Sequence, residues 1–168
     1  MKWKWMGGAT LMIALALVGA GCVQSEPGTN ATLPVQALYG SGQCIGLERP
    51  AVLWVADAET WRSWYGRITS ARLPAPPVPA VDFPREGVLL LAMGSRSTAG
   101  YGLSLAEESA VVRDGMLTVR VDWGEPPSGA LLAQVMTSPC LLVKMPAASF
   151  NRIRVVDQQG RVRLEGAR

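Results

Sequence analysis

Val88-Leu89-Leu90-Leu91-Ala92-Met93-Gly94-Ser95-Arg96-Ser97-Thr98-Ala99-Gly100-Tyr101-Gly102 decides how the chain is read. The short apolar run closed by Gly94 predicts a buried strand. The polar and glycine-rich stretch behind it predicts a sharply bent loop before alternation resumes at Leu103. In that loop Thr98 can bond the backbone locally, Gly100 and Gly102 allow positive φ or close approach, and Tyr101 must either bury its ring or display it.

Outward from this stretch, the apolar segments stay short and are separated by Gly, Pro or charged pairs. The pattern predicts an antiparallel meander over Gly102–Ala106, Ala110–Arg113, Met116–Asp122, Leu132–Thr137, Leu141–Lys144, Arg152–Val156 and Arg161–Leu164. Asp114-Gly115 is a strong hairpin signal. One segment departs from strand rhythm: after Asp57, a good N-cap, Trp61, Trp64, Tyr65 and Ile68 recur at helical spacing, which predicts an amphipathic helix over 57–69 with an inward Trp-rich face. Arg72-Leu73-Pro74-Ala75-Pro76-Pro77-Val78-Pro79 cannot donate enough amides for a sheet interior and predicts an extended surface connector. The expected class is α+β: one domain over residues 35–168, a mostly antiparallel β-sheet with one amphipathic helix near its N-terminus.

A length of 168 residues suits one such domain. Histidine is absent, which removes Ser-His-Asp and Cys-His nucleophile activation and His-based metal sites. No nucleophile elbow, Walker loop, dinucleotide fingerprint or metal cluster is present. Acidic pairs such as Glu107-Glu108 or Asp122 with Glu125 read as solvated turn and strand carboxylates, not as an acid and base. The expectation is therefore a protein that is not an enzyme, with no cofactor and no metal. Arginines are scattered singly from Arg49 to Arg168, without the clustered basic and aromatic face of a nucleic-acid binder, so no nucleic-acid partner is expected.

At the N-terminus Lys2 and Lys4 precede an apolar core, Leu11 to Val18, followed by Gly19-Ala20-Gly21-Cys22. These small residues before a cysteine resemble a bacterial lipobox. The resemblance implies a signal peptide over residues 1–21, lipid attachment at Cys22 with a palmitate-type chain, and a lipoprotein that partners the membrane through its N-terminal lipid. Removing residues 1–21 takes away Lys2 and Lys4 and leaves 14 cations against 13 anions, so the net charge says little about partners. An uncleaved anchor over Trp5 to Val23 is the alternative, weakened by Gly7, Gly8, Gly19 and Gly21. Residues 22–34 read as a flexible tether. Either reading places the domain in the cell envelope. With Val23 and not Asp after the cysteine, sorting rules imply the outer membrane, facing the periplasm, for a Gram-negative source.

Setting Cys22 aside leaves Cys44 and Cys140, which are expected to form a disulfide in an oxidising envelope, a loop worth about 4 kcal/mol in the chain-entropy model. Two buried free thiols are the alternative.

The order of elements from Asp82 to Pro146 resembles the C-terminal domain of the PrcB family, named for an accessory subunit of a bacterial surface protease complex. The matching positions are Gly94, Thr98, Gly100, Tyr101, Pro127, Gly129, Thr137, Pro139 and Pro146. Ala99 stands where the family more commonly has Gly. The resemblance implies a non-catalytic accessory or binding subunit of an exported protein complex, with an exported protease or another envelope protein as partner. The candidate binding loop comprises Arg96, Ser97, Thr98, Gly100, Tyr101 and Gly102, with Pro127 and Gly129 on a neighbouring turn. Tyr101 would anchor and Arg96 would add a rim charge. Thr98-Ala99-Gly100-Tyr101 also resembles the first binding loop of chagasin-type cysteine-protease inhibitors, whose aromatic third loop has its nearest counterpart here in Trp123-Gly124-Glu125-Pro126. A structural envelope lipoprotein with no protease link, in which these residues only shape a tight β connection, is the third reading.

Overall fold

The computed structural model describes residues 30–168. The expected signal peptide, Cys22 and most of the expected tether lie outside the described residues.

The order is β1 (Ala31–Pro34), β2 (Gln36–Ser41), β3 (Pro50–Val55), α1 (Ala58–Ile68), β4 (Glu86–Met93), β5 (Gly102–Arg113), β6 (Met116–Gly124), β7 (Cys140–Pro146), β8 (Arg152–Val156) and β9 (Val162–Ala167). The tether ends earlier than expected: Ala31–Pro34 is already strand, paired antiparallel with β5 from Ala31 opposite Val112 to Pro34 opposite Ser109. Thr32 and Leu33 carry β-branched and apolar character that a flexible-linker reading overlooks once β5 offers a partner.

The strands form two sheets, β1-β5-β6-β8-β9 and β2-β7-β4-β3. The expected single meander is corrected in two respects. β6 and β8 run parallel, and residues 132–137 form no strand, only a bridge between Thr137 and Arg96. The reason lies in layering. Val88 to Met93 and Cys140 to Val143 are buried on both faces, so β4 and β7 occupy the middle of the smaller sheet between two other layers. On one side Leu89, Leu91, Met93, Leu141, Val143 and Met145 meet Val112, Leu117, Val119, Val121, Ile153 and Val155 of the larger sheet. On the other, Val88, Leu90, Ala92 and Leu142 meet Trp61, Tyr65 and Ile68 of α1. An unbroken apolar strand is what burial on both faces requires. Because β4 and β7 belong to one sheet and β5, β6 and β8 to the other, the connections after β4, β6 and β7 must cross between layers, and a crossing segment leaves its strand ladder.

The helix follows its sequence signals. Asp57 accepts the Thr60 N–H at 2.8 Å, and Thr69 closes the last turn with its hydroxyl on the Tyr65 carbonyl at 2.7 Å. Trp61 is buried and its Nε1 donates to the Pro79 carbonyl at 3.0 Å, so the proline-rich connector is fastened across the helix. Trp64, expected on the inner face, is only partly buried, with the Arg67 guanidinium 5.0 Å from its ring. Asp114 and Gly115 both take positive φ, 50° and 73°, the twist a two-residue turn needs between Arg113 and Met116. Cys44 and Cys140 form the expected disulfide, with Cα atoms 6.0 Å apart.

Registers define two ends of the sandwich. At one, the Asp114–Gly115 hairpin lies with Ala31, Arg152 and Ala167; at the other, Gly102 pairs with Gly124 beside the entry to β7.

Candidate docking site

The stretch from Ser95 to Tyr101 leaves β4 at the second of these ends and crosses to the larger sheet. It lies against the segment that crosses back from β6 to β7. Arg96 N–H donates to the Thr137 carbonyl at 2.7 Å, and Thr137 N–H returns a bond to the Arg96 carbonyl at 2.8 Å. Ala99 N–H reaches the Ala133 carbonyl at 3.0 Å, and the Thr137 hydroxyl donates to the Thr98 carbonyl at 3.1 Å. Ser95 N–H bonds the Glu48 carbonyl at 2.9 Å. A loop held by this many backbone contacts has few shapes available, so little entropy is lost when something binds it.

The two glycines differ. Gly100 has φ of 95°, and a Cβ there would stand 3.1 Å from the Pro126 Cβ, so this position requires glycine and brings the loop against the start of the next crossing. Gly102 has neither a positive φ nor any atom within 4 Å of where a Cβ would lie, so the expected need for glycine is not found there. Pro127 and Gly129 lie in an exposed turn closed by Ala130 N–H on the Pro127 carbonyl at 3.2 Å, with Gly129 at φ of 79°.

Arg96 does not extend outward as a rim charge. Its guanidinium folds back, donating to the Met93 carbonyl at 2.9 Å and lying 5.1 Å from the centre of the Tyr101 ring. Tyr101 is half-buried against the core. The stacked pair braces the loop from beneath, while Ser97, Gly100 and the Pro127–Leu131 stretch face outward.

Arg163, which sequence reasoning did not single out, completes the region around Trp123 and Glu125. Arg163 lies 4.9 Å from the Trp123 ring and pairs with Glu125 at 2.6 Å, and the Trp123 indole N–H donates to Glu125 at 3.1 Å. The Arg163 bond, aided by Trp123 and by the charges of Arg163 and Arg96, holds the Glu125 carboxyl below its ordinary pKa against the opposing effect of desolvation. The Trp123 ring is buried and capped, so the counterpart of an inhibitor's aromatic third loop displays no aromatic surface. The apolar side chains exposed here belong to the crossing segment: Leu131, Val135 and Met136. An alternating run such as Leu132-Ala133-Gln134-Val135 gives no local sign that it will lie outside a sheet. Pro126, Pro127 and Pro139, which withhold donors on both sides, were the available signal.

Among the described residues no group of three or more His, Cys, Asp or Glu is placed to hold a metal, and no helix is long and apolar enough to cross a membrane.

Residues 88–146 match the protein family described as PrcB C-terminal. The matched stretch runs from β4 to the end of β7 and includes the candidate docking loop and the facing turn. No curated protein and no solved structure matches the chain. The elements outside the match are integral to the same sheets: β2 pairs with β7, β3 with β4, and β1 with β5.

Proposed function

We propose that this protein is a non-catalytic accessory subunit of an exported protein complex, held in the cell envelope by lipid on Cys22 and docking an exported protease through the Ser95–Gly102 loop and the Pro127–Leu131 stretch. The observation that carries the reading is the pair of bridging bonds between Arg96 and Thr137, which locks the family-matched loop to the crossing segment while their outer residues stay exposed. In a Gram-negative source the protein would face the periplasm from the outer membrane.

The placement of the ends suits this role. The chain enters the fold at Ala31, opposite Val112 and so level with Leu117 on β6, whereas the loop adjoins Gly124. Seven residues of strand separate those levels, about 23 Å. A tethered domain of this shape presents its loop away from the point of attachment.

Crosslinking in native cells followed by mass spectrometry tests the proposal, with wild type compared against Tyr101→Ala and Leu131→Asp after each variant is shown to be folded. Loss of one co-exported protein from both variants is expected. If both retain every crosslinked partner at wild-type yield, the loop end is not the docking site. Turnover of generic ester, peptide or glycoside substrates by the purified protein would overturn the non-catalytic assignment. Radiolabelled fatty acid entering Cys22→Ser as readily as wild type would overturn the anchor.

A further inference from the structure

Among the described residues no helix or third layer covers the outer face of the larger sheet, and the strand registers place its arginines in rows. Arg113 of β5 stands opposite Met116 of β6, and Met116 beside Arg152 of β8; the next row holds Val111, Thr118 and Arg154. These residues line an open depression of about 570 Å³, to which Arg120 and Asp114 also contribute. Arg120 pairs with Glu107 at 3.4 Å and Arg154 with Glu165 at 2.8 Å. Arg113 and Arg152 are exposed and take no ion-pair partner among the described residues, so two uncommitted arginines flank Met116 on strands about 10 Å apart, two strand spacings.

Their position in the chain gives this face an orientation. Ala31 pairs with Val112, so the chain enters the fold one residue away from Arg113 in register. Only eight residues lie between Cys22 and Ala31, a reach of about 30 Å at full extension. A lipid-anchored domain on so short a lead keeps this end of the sandwich near the bilayer, at a local concentration that makes a weak attraction count. Arginine forks bind phosphate oxygens in pairs, and the methionine between them, with Val111 in the next row, offers apolar contact at headgroup depth.

We propose that the Arg113–Met116–Arg152 row docks on the phosphates of anionic lipid headgroups, setting the orientation of the domain on its membrane. The proposal rests on the anchor reading for its geometry. Its physical consequence is a fixed pose, in which the docking loop lies at the opposite end of the strands from the contact row.

Arginine footprinting on the full chain tests it without any variant. The protein isolated from envelopes is reconstituted on vesicles of phosphatidylcholine, or of phosphatidylcholine with phosphatidylglycerol, treated with phenylglyoxal and read by mass spectrometry. Arg62, exposed on the helix at the far side of the molecule, serves as the internal reference. Labelling of Arg113 and Arg152 is expected to fall several-fold relative to Arg62 on phosphatidylglycerol vesicles alone, and to recover when salt is raised. Equal labelling on both vesicles overturns the proposal. So does equal protection by inorganic phosphate with neutral vesicles, which would assign the row to a free anion, or protection only when an acidic protein from the envelope is added. Co-sedimentation with neutral vesicles reports the anchor separately: protein that fails to sediment with them, yet shows the anionic protection, would refute the anchor and leave the docking face standing.

Discussion

The indole of Trp54 lies directly over Gly87, so close that a methyl group on Gly87 would fall 2.2 Å from Cζ2 of the ring. Phe150 meets the same indole edge-on at 5.1 Å and Arg168 covers it at 5.0 Å, so the β3 edge, the start of β4, the crossing after β7 and the C-terminus converge on one side chain. Neighbours on three sides leave the ring little freedom to retreat. Gly87→Ala is therefore expected to cost about 1–3 kcal/mol through overpacking, read as a lowered urea midpoint with unchanged slope. A midpoint equal to wild type would mean the ring moves freely.

Gly100→Ala and Gly102→Ala should separate two glycines that look alike in sequence. The first forces a side chain into a left-handed conformation against Pro126 and is expected to cost about 1–2 kcal/mol. The second places a methyl in open space on an ordinary strand backbone and is expected to change stability by no more than about 0.5 kcal/mol. Thermal denaturation of the two variants side by side decides it, and equal losses would refute the distinction.

The Cys44–Cys140 bridge closes a loop of 96 residues and fastens the segment after β2 to the first residue of β7. Replacing both cysteines by serine is expected to lower stability by about 4 kcal/mol in the chain-entropy model. Reductant should reproduce the loss in wild type and leave the variant unchanged. Thiol titration of the denatured, unreduced protein should find neither Cys44 nor Cys140 free.

Asp157 has no exposed side-chain surface, and burial by itself would raise its pKa. The backbone N–H groups of Arg161 and Gln159 and the Arg161 guanidinium at 2.8 Å outweigh that effect and hold it below the ordinary aspartate value. A depressed folded-state pKa gives stability that is complete above the unfolded value and lost as pH falls through the folded one. The stability gap between wild type and Asp157→Asn should thus be constant near neutral pH and narrow on acidification below the ordinary aspartate range. Denaturation curves across that window measure it, and a gap that widens in acid would contradict the assignment.

Several elements are legible in the sequence because their causes are local. Asp57 and the spacing of Trp61, Tyr65 and Ile68 specify a capped helix wherever it packs, and Asp114-Gly115 specifies a two-residue turn because both positions take positive φ. The unbroken apolar run from Val88 to Met93 announced burial, and the bent loop after it was visible from its glycines and polar residues. The cysteine count left Cys44 and Cys140 as the available pair once Cys22 was assigned to lipid.

What the sequence by itself determined, then, was the identity of most elements and the place of the loop between them. Only the tertiary structure decided that there are two sheets, that β8 joins β6 in parallel, that Leu132 to Thr137 lies outside both, and that Arg96 turns inward onto Tyr101. Each of these depends on partners distant in the chain. Alternation along one strand records which face is buried but not which strand stands beside it, and an arginine's direction depends on whether a ring and a carbonyl are brought within its reach. The same limit hid the Arg113–Met116–Arg152 row: its two arginines are scattered in sequence, and strand register alone sets them side by side.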